Sequence, residues 1–114
     1  MAGMTDDQDA QPEYYVLEMT VPFSSLPDVQ RTAADALAAH VAQATELHEQ
    51  GEVLMAGAFL QPDPATGYLR TMAICRSREA AERFVERDPF VRSGQVLEHR
   101  IRAWANMFAP RPAH

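Results

Sequence analysis

The sequence predicts one two-layer α+β domain, with two helices on one face of a four-stranded antiparallel sheet. Three observations lead there. A chain of 114 residues, 46% hydrophobic and 23% charged, can build one core but not two. Its apolar pattern switches between a strand period and a helix period in the order βαββαβ, the ferredoxin-like arrangement. Capping and turn residues stand at each switch.

The first strand is "YYVLEMTV", residues 14–21, aromatic and β-branched and closed by Pro22. "SSLPDVQ" then places Ser and Asp around a proline, a helix start. One long helix is expected from there to about Gln50, with Gly51 as its stop. "EVLMAGAFL" (52–60) and "YLRTMAIC" (68–75) read as two strands joined by the turn-rich "QPDPATG". Ser77 can cap a second helix, "REAAERFVER", which ends before Pro89 because the residue preceding proline avoids the α region. "VLEHRIRAWANMF" (96–108) supplies the last strand.

The strands carry apolar residues on both parities, Tyr15, Leu17 and Met19 against Tyr14 and Val16. A sheet that is apolar on both faces needs two covers, and the helices supply one. A second copy of the same sheet is the economical other cover. The expectation is a homodimer whose two sheets form a dimeric α+β barrel.

Ten Lys and Arg against sixteen Asp and Glu give a net charge of −6, which argues against a nucleic-acid or anionic-membrane partner. No segment is long and apolar enough to span a bilayer, and the acidic start "MAGMTDDQDAQPE" does not read as a secretory signal. With one cysteine, Cys75, no internal disulfide is possible, and a cytoplasmic location is the default. Its neighbours Met72, Ala73 and Ile74 suggest a buried strand thiol. Residues 1–12 and 109–114 read as tails around a single domain at 13–108.

On the first helix, Val29, Ala36, Leu37, Ala44 and Leu47 form the buried stripe at 100° per residue. His40 falls near its centre and His48 at its margin. A histidine so placed has two readings, a core residue satisfied by a carbonyl or a proton-transfer group in a cleft. His48 fits the bland reading better, and His99, flanked by charges in its strand, reads as exposed. His40 and His48 stand eight residues apart, roughly 12 Å along a helix, too far to share one ion unaided. No CxxC, HxxxH, G-x-S-x-G or nucleotide fingerprint is present, so no metal and no cofactor is expected.

Asp88 sits in "ERDPFVRSG", where the second helix ends and an acid is electrostatically unwelcome. Asp followed by Pro is a favoured start for a further helical turn, which Gly94 could stop. Capping does not exclude another role, since a carboxylate has two oxygens.

Two runs, "AAHVAQATELHEQGEVLMAGAF" and "SREAAERFVERDPFVRSGQVLEHRIRAW", resemble the YciI-like family of small dimeric α+β barrel proteins, over about residues 14–106. Its most specific pieces are the helical His before a strand with "AG" and the "DPF" triplet. The chain departs from the family's "AGP" with "AGAF" at Ala56 to Phe59. The resemblance implies an active-site pair at His40 and Asp88, with His48 at a less consistent position. It also implies small-molecule chemistry, since members resembling lyases act on halogenated or hydroxylated aromatics and related barrels isomerise or cyclise carbonyl compounds. A carboxylate beside a histidine leaves the far ring nitrogen free to move a proton. The expected enzyme is a cofactor-independent lyase or isomerase; a non-catalytic ligand-binding or accessory dimer is the alternative. Phe90, Trp104, Met55 and Phe59 are candidates to line an apolar pocket, each equally able to serve core or interface. Gly57 would permit close approach of a ligand or relieve strand crowding.

Overall fold

The computed structural model describes residues 13–108; both expected tails lie outside them. Strand β1 (Glu13–Val21) leads through Ser25 into helix α1 (Leu26–Thr32). Ser25 accepts a hydrogen bond from the Asp28 N–H, and the Asp28 carboxylate accepts one from the Ser24 N–H in return. The first satisfies one of the orphan donors of the helix start, and the second ties down the residue before the cap.

The expected single long helix is broken. Ala33 leaves the helical region at φ −142° and ψ 45°, and α2 (Ala34–Glu49) begins beyond it. Period-3.6 patterning continues across the break, so periodicity alone joins the two pieces. Helix α2 ends at Gln50, and Gly51, at φ +79°, turns the chain into β2 (Val53–Ala58).

The loop that follows β2 is organised by Asp63. Its carboxylate accepts hydrogen bonds from the Ala65 N–H at 3.0 Å and the Arg70 guanidinium at 2.9 Å. The Ala65 donor, with Arg70 beside it, holds the Asp63 carboxyl below its ordinary range. Strand β3 (Leu69–Cys75) follows, then α3 (Arg78–Arg87), whose start is capped by Ser77 through the Ala80 N–H. A single turn, α4 (Pro89–Arg92), precedes β4 (Glu98–Ala105).

The sheet order is β2-β3-β1-β4 with every neighbour antiparallel. Pairing across β1 puts Tyr15, Leu17 and Met19 level with Cys75, Ala73 and Thr71. These residues share the face on which the helices lie, where Leu17, Met19, Leu47, Val53, Ala73, Ala80, Ala81 and Phe84 make the main core. A second cluster, Val21, Phe23, Val29, Leu69 and Phe90, closes the end beside α1 and α4. Cys75 is fully buried, and burial, with the Glu52 charge adding to it, pushes its thiol up to about 11. The opposite face carries Tyr14, Val16, Met72, Ile74 and Trp104.

Candidate active site

Helix α2 stands off the sheet and leaves an apolar cavity of about 490 Å³ between them. Benzene-sized guests occupy cavities of roughly 150 Å³, so a substituted ring has room here. One stripe of α2 forms its wall: Leu37, His40, Val41, Ala44, Thr45 and His48. Their spacing of three and four residues puts all six on one side of a helix. Leu17, Met19, Leu69 and Ala73 form the sheet side, and Phe84 and Phe90 approach from α3 and α4.

His40 meets Asp88 in this wall. Imidazole Nδ1 contacts the carboxylate oxygen Oδ1. The other oxygen, Oδ2, accepts hydrogen bonds from the backbone N–H of Phe90 at 3.0 Å and of Val91 at 3.2 Å. The capping role and the histidine contact thus use different oxygens of one side chain. Asp88 is 1% exposed, and a buried carboxylate persists only with partners of this kind. The helix that ends at Arg87 does not carry it alone, because the next turn begins on it.

The carboxylate can only accept, so in the neutral imidazole the proton sits on Nδ1 and the lone pair on Nε2. Two aromatic rings flank the imidazole, Phe84 edge-on at 5.8 Å and Phe90 tilted at 5.6 Å between centroids. The tautomer and the plane of His40 are both constrained, and its ring borders the apolar cavity.

The other residues named from the sequence divide. Phe90 borders the cavity from α4, whereas Met55 and Gly57 touch it only at its β2 rim, since pairing with Ile74 and Met72 puts them on the sheet face away from the helices. A methyl group at Gly57 would meet nothing within 4 Å, so strand crowding does not explain this glycine. Phe59 and Trp104 do not border the cavity. The Phe59 N–H pairs with the Arg70 carbonyl, and Phe59 lies beside Gln61, Pro62 and three arginines in a separate, more open cleft. Trp104 stands opposite Tyr14 across β4 and β1, with ring centroids 6.3 Å apart, on the face away from the helices. The period of two along a strand sends Trp104 outward, and Phe59 follows the end of β2. His99 is exposed, as its charged neighbours suggest.

Phe84, Val41 and Thr45 were not singled out by the sequence reading. The signal for Val41 and Thr45 was present in the 37-40-41-44-45-48 spacing, while Phe84 looks like any core residue of α3. Among the described residues no three His, Cys, Asp or Glu side chains converge as a metal site. No helix among them is long and apolar enough to cross a membrane.

No curated protein matches this chain. Among solved structures, it is similar to the 5-chloro-2-hydroxyhydroquinone dehydrochlorinase TftG of Burkholderia phenoliruptrix AC1100, solved in complex with 2,5-dihydroxybenzoquinone. That similarity has a TM-score of 0.57 and 21% identity over 80% of this chain and 92% of that one. PA3566 of Pseudomonas aeruginosa matches at a TM-score of 0.47 and 15% identity, over 89% of this chain and 99% of that one. The sequence profile of the YCII-related domain matches residues 15–105, nearly the whole described chain. By that match, the chain belongs to the YCII-related domain family.

Proposed function

We propose that the protein is a cofactor-independent enzyme of lyase or isomerase type, in which His40 moves a proton on a small aromatic or carbonyl compound and Asp88 orients it. One observation carries this reading: a fully buried carboxylate directs a partly exposed imidazole at an apolar cavity. A general base needs a defined lone pair within reach of a bound substrate, and Nε2 of His40 supplies it. The apolar walls would bind the carbon frame and exclude water, which strengthens every polar contact inside.

The TftG likeness supports small-molecule chemistry on this fold. The reading further pairs the outer sheet face with a second copy of the chain, in a reducing, cytoplasmic setting that suits a lone buried thiol.

The test is a turnover screen of small halogenated and hydroxylated aromatics with wild type and His40→Ala. Loss of an imidazole base is expected to lower kcat by about 10²-fold or more. Turnover that survives in His40→Ala would exclude the mechanism. Saturable binding by wild type with no turnover of any compound would favour the ligand-binding alternative.

A further inference from the structure

The mouth of the cavity lies along an edge of the sheet. Strand β2 ends the order β2-β3-β1-β4, and among the described residues no strand stands on its other side. Its rim residues Met55, Ala56 and Gly57 are exposed, as is Val41 across the gap on α2. The opposite edge, β4, is equally open, with every residue from Glu98 to Ala105 exposed except Ile101. Bare edges invite a further strand. The small run Ala56-Gly57-Ala58 lets one approach closely.

Register fixes how a second copy fits. Val16 and Ile74 are level with each other at the apolar centre of the face away from the helices, and Arg102 and Met55 continue that level on β4 and β2. A two-fold axis running across the strands through this centre would bring Arg102 against its own copy, charge on like charge. An axis between the sheets and parallel to the strands keeps every residue at its own level and exchanges the two edges. Val16 then meets the partner's Ile74, Arg102 meets the partner's Met55, and β4 comes to the partner's β2. Three antiparallel pairings separate β2 from β4, so the two run in opposite directions and the new pair is antiparallel.

The same levels reach the cavity. Ala58 is level with Thr71, Met19 and His99, and Ala56 with Ala73, Leu17 and Ile101. Met19 and Leu17 belong to the core beneath the helices, so both rows point to the helix side. Pairing of β4 with β2 therefore sets the partner's His99 beside Ala58 and the partner's Ile101 beside Ala56, both of which line the cavity. Ala58 packs against the cluster that holds Phe90, whose ring lies 5.6 Å from that of His40. We infer that each cavity is completed by the other chain: β4 of one copy pairs with β2 of the other, and the partner's His99, exposed in a single chain, contacts a ligand bound at the His40 end. The inference rests on the dimer and the ligand cavity of the reading above, and adds a contact supplied in trans.

A cross-link tests the seam. Ala58→Cys and His99→Cys are combined in a Cys75→Ala background and oxidised with glutathione disulfide. Within one chain the two positions lie on opposite edges, three strand spacings or roughly 14 Å apart, beyond the roughly 7 Å reach of a disulfide. A covalent two-chain species is expected on a non-reducing gel from the double variant and from neither single one. Its absence from a protein of two-chain mass, or cross-linking by His99→Cys alone, would overturn the seam and leave the dimer and the His40 reading standing. A one-chain mass would remove the dimer and this inference together.

Mixed dimers test the contact, with 4-nitrophenol as the probe and its absorbance as the readout. His99→Ala and His40→Ala homodimers should each bind about fivefold more weakly than wild type, the worth of one net hydrogen bond. A dimer of one chain of each, isolated through two affinity tags, should regain wild-type affinity at one site per dimer. Were His99 to act within its own chain, neither site of that dimer would hold both histidines. Equal binding by wild type and His99→Ala, or a mixed dimer without a wild-type site, would overturn the role of His99 even if the cross-link forms. A His40→Ala homodimer that binds like wild type would count against the His40 reading alone.

Discussion

Asp88 shows how one side chain reconciles two demands. Its Oδ2 closes the start of α4 while Oδ1 meets His40. Asp88→Asn separates them, because an amide oxygen can still accept from Phe90 and Val91 while the amide nitrogen becomes a donor toward His40. Asn and Asp are comparable helix caps, so this variant should lose only about 1 kcal/mol in chemical denaturation. Its imidazole would then be drawn to the wrong tautomer, and activity should fall by about 10²-fold or more. Asp88→Ala should lose roughly 2–4 kcal/mol, since cap and buried charge contact go together. Equal stability of the two variants would show that the cap contributes nothing.

Cys75 gives a pH prediction at the same scale. Its thiol is raised from 9.0 to about 11 in the folded chain, chiefly by burial. Between those values the unfolded chain has released a proton that the folded chain retains, so stability falls as pH rises through this window. The loss approaches roughly 3 kcal/mol by pH 11 and is absent below about pH 8. Denaturation midpoints of wild type and Cys75→Ala, measured across that range, should converge as pH rises.

Helix α2 is the element on which the site depends, and it is lightly anchored. Leu47 is its one fully buried side chain, while its cavity-facing stripe packs against open space. Leu47→Ala removes that anchor and leaves a void, at about 2–5 kcal/mol. Hydrogen exchange should then speed up in α2 more than in β1 or β3, since elements open in units of their own stability. Uniform acceleration across the domain would show that α2 has no independent opening. The break at Ala33 separates α1 from α2, and Val29 of α1 borders the same cavity as the α2 stripe while packing in the core.

At the scale of the whole molecule, the sheet has one face beneath helices and one without. The face away from the helices carries Val16 and Ile74, each 8% exposed, and half-buried Met72 near its middle, with Met55 66% and Trp104 43% exposed toward its edges. Apolar area of that kind marks an interaction surface. A second copy would pair apolar centre with apolar centre about a two-fold axis. Sedimentation equilibrium should return a mass of two chains, and Met72→Arg should shift it to one chain while leaving the far-UV spectrum unchanged. A wild-type mass of one chain at micromolar concentration would remove the dimer.

Element order, most element boundaries and the cap residues were legible in the linear chain because they rest on local physics. Ser25, Ser77 and Asp88 act on backbone groups two or three residues away, and strand alternation needs no partner to be visible. The family's two motifs lie within single segments, which is why His40 and Asp88 could be named together. What folding decided is everything that depends on distance between segments. It brought residues 40 and 88 into contact, lifted α2 from the sheet to leave a cavity, and turned Phe59 and Trp104 away from that cavity. It also set His48 beside the Val53 carbonyl, which supplies that helix-margin histidine with a backbone acceptor. Local patterns record which way a side chain points within its own element; only packing of one element on another determines what it points at.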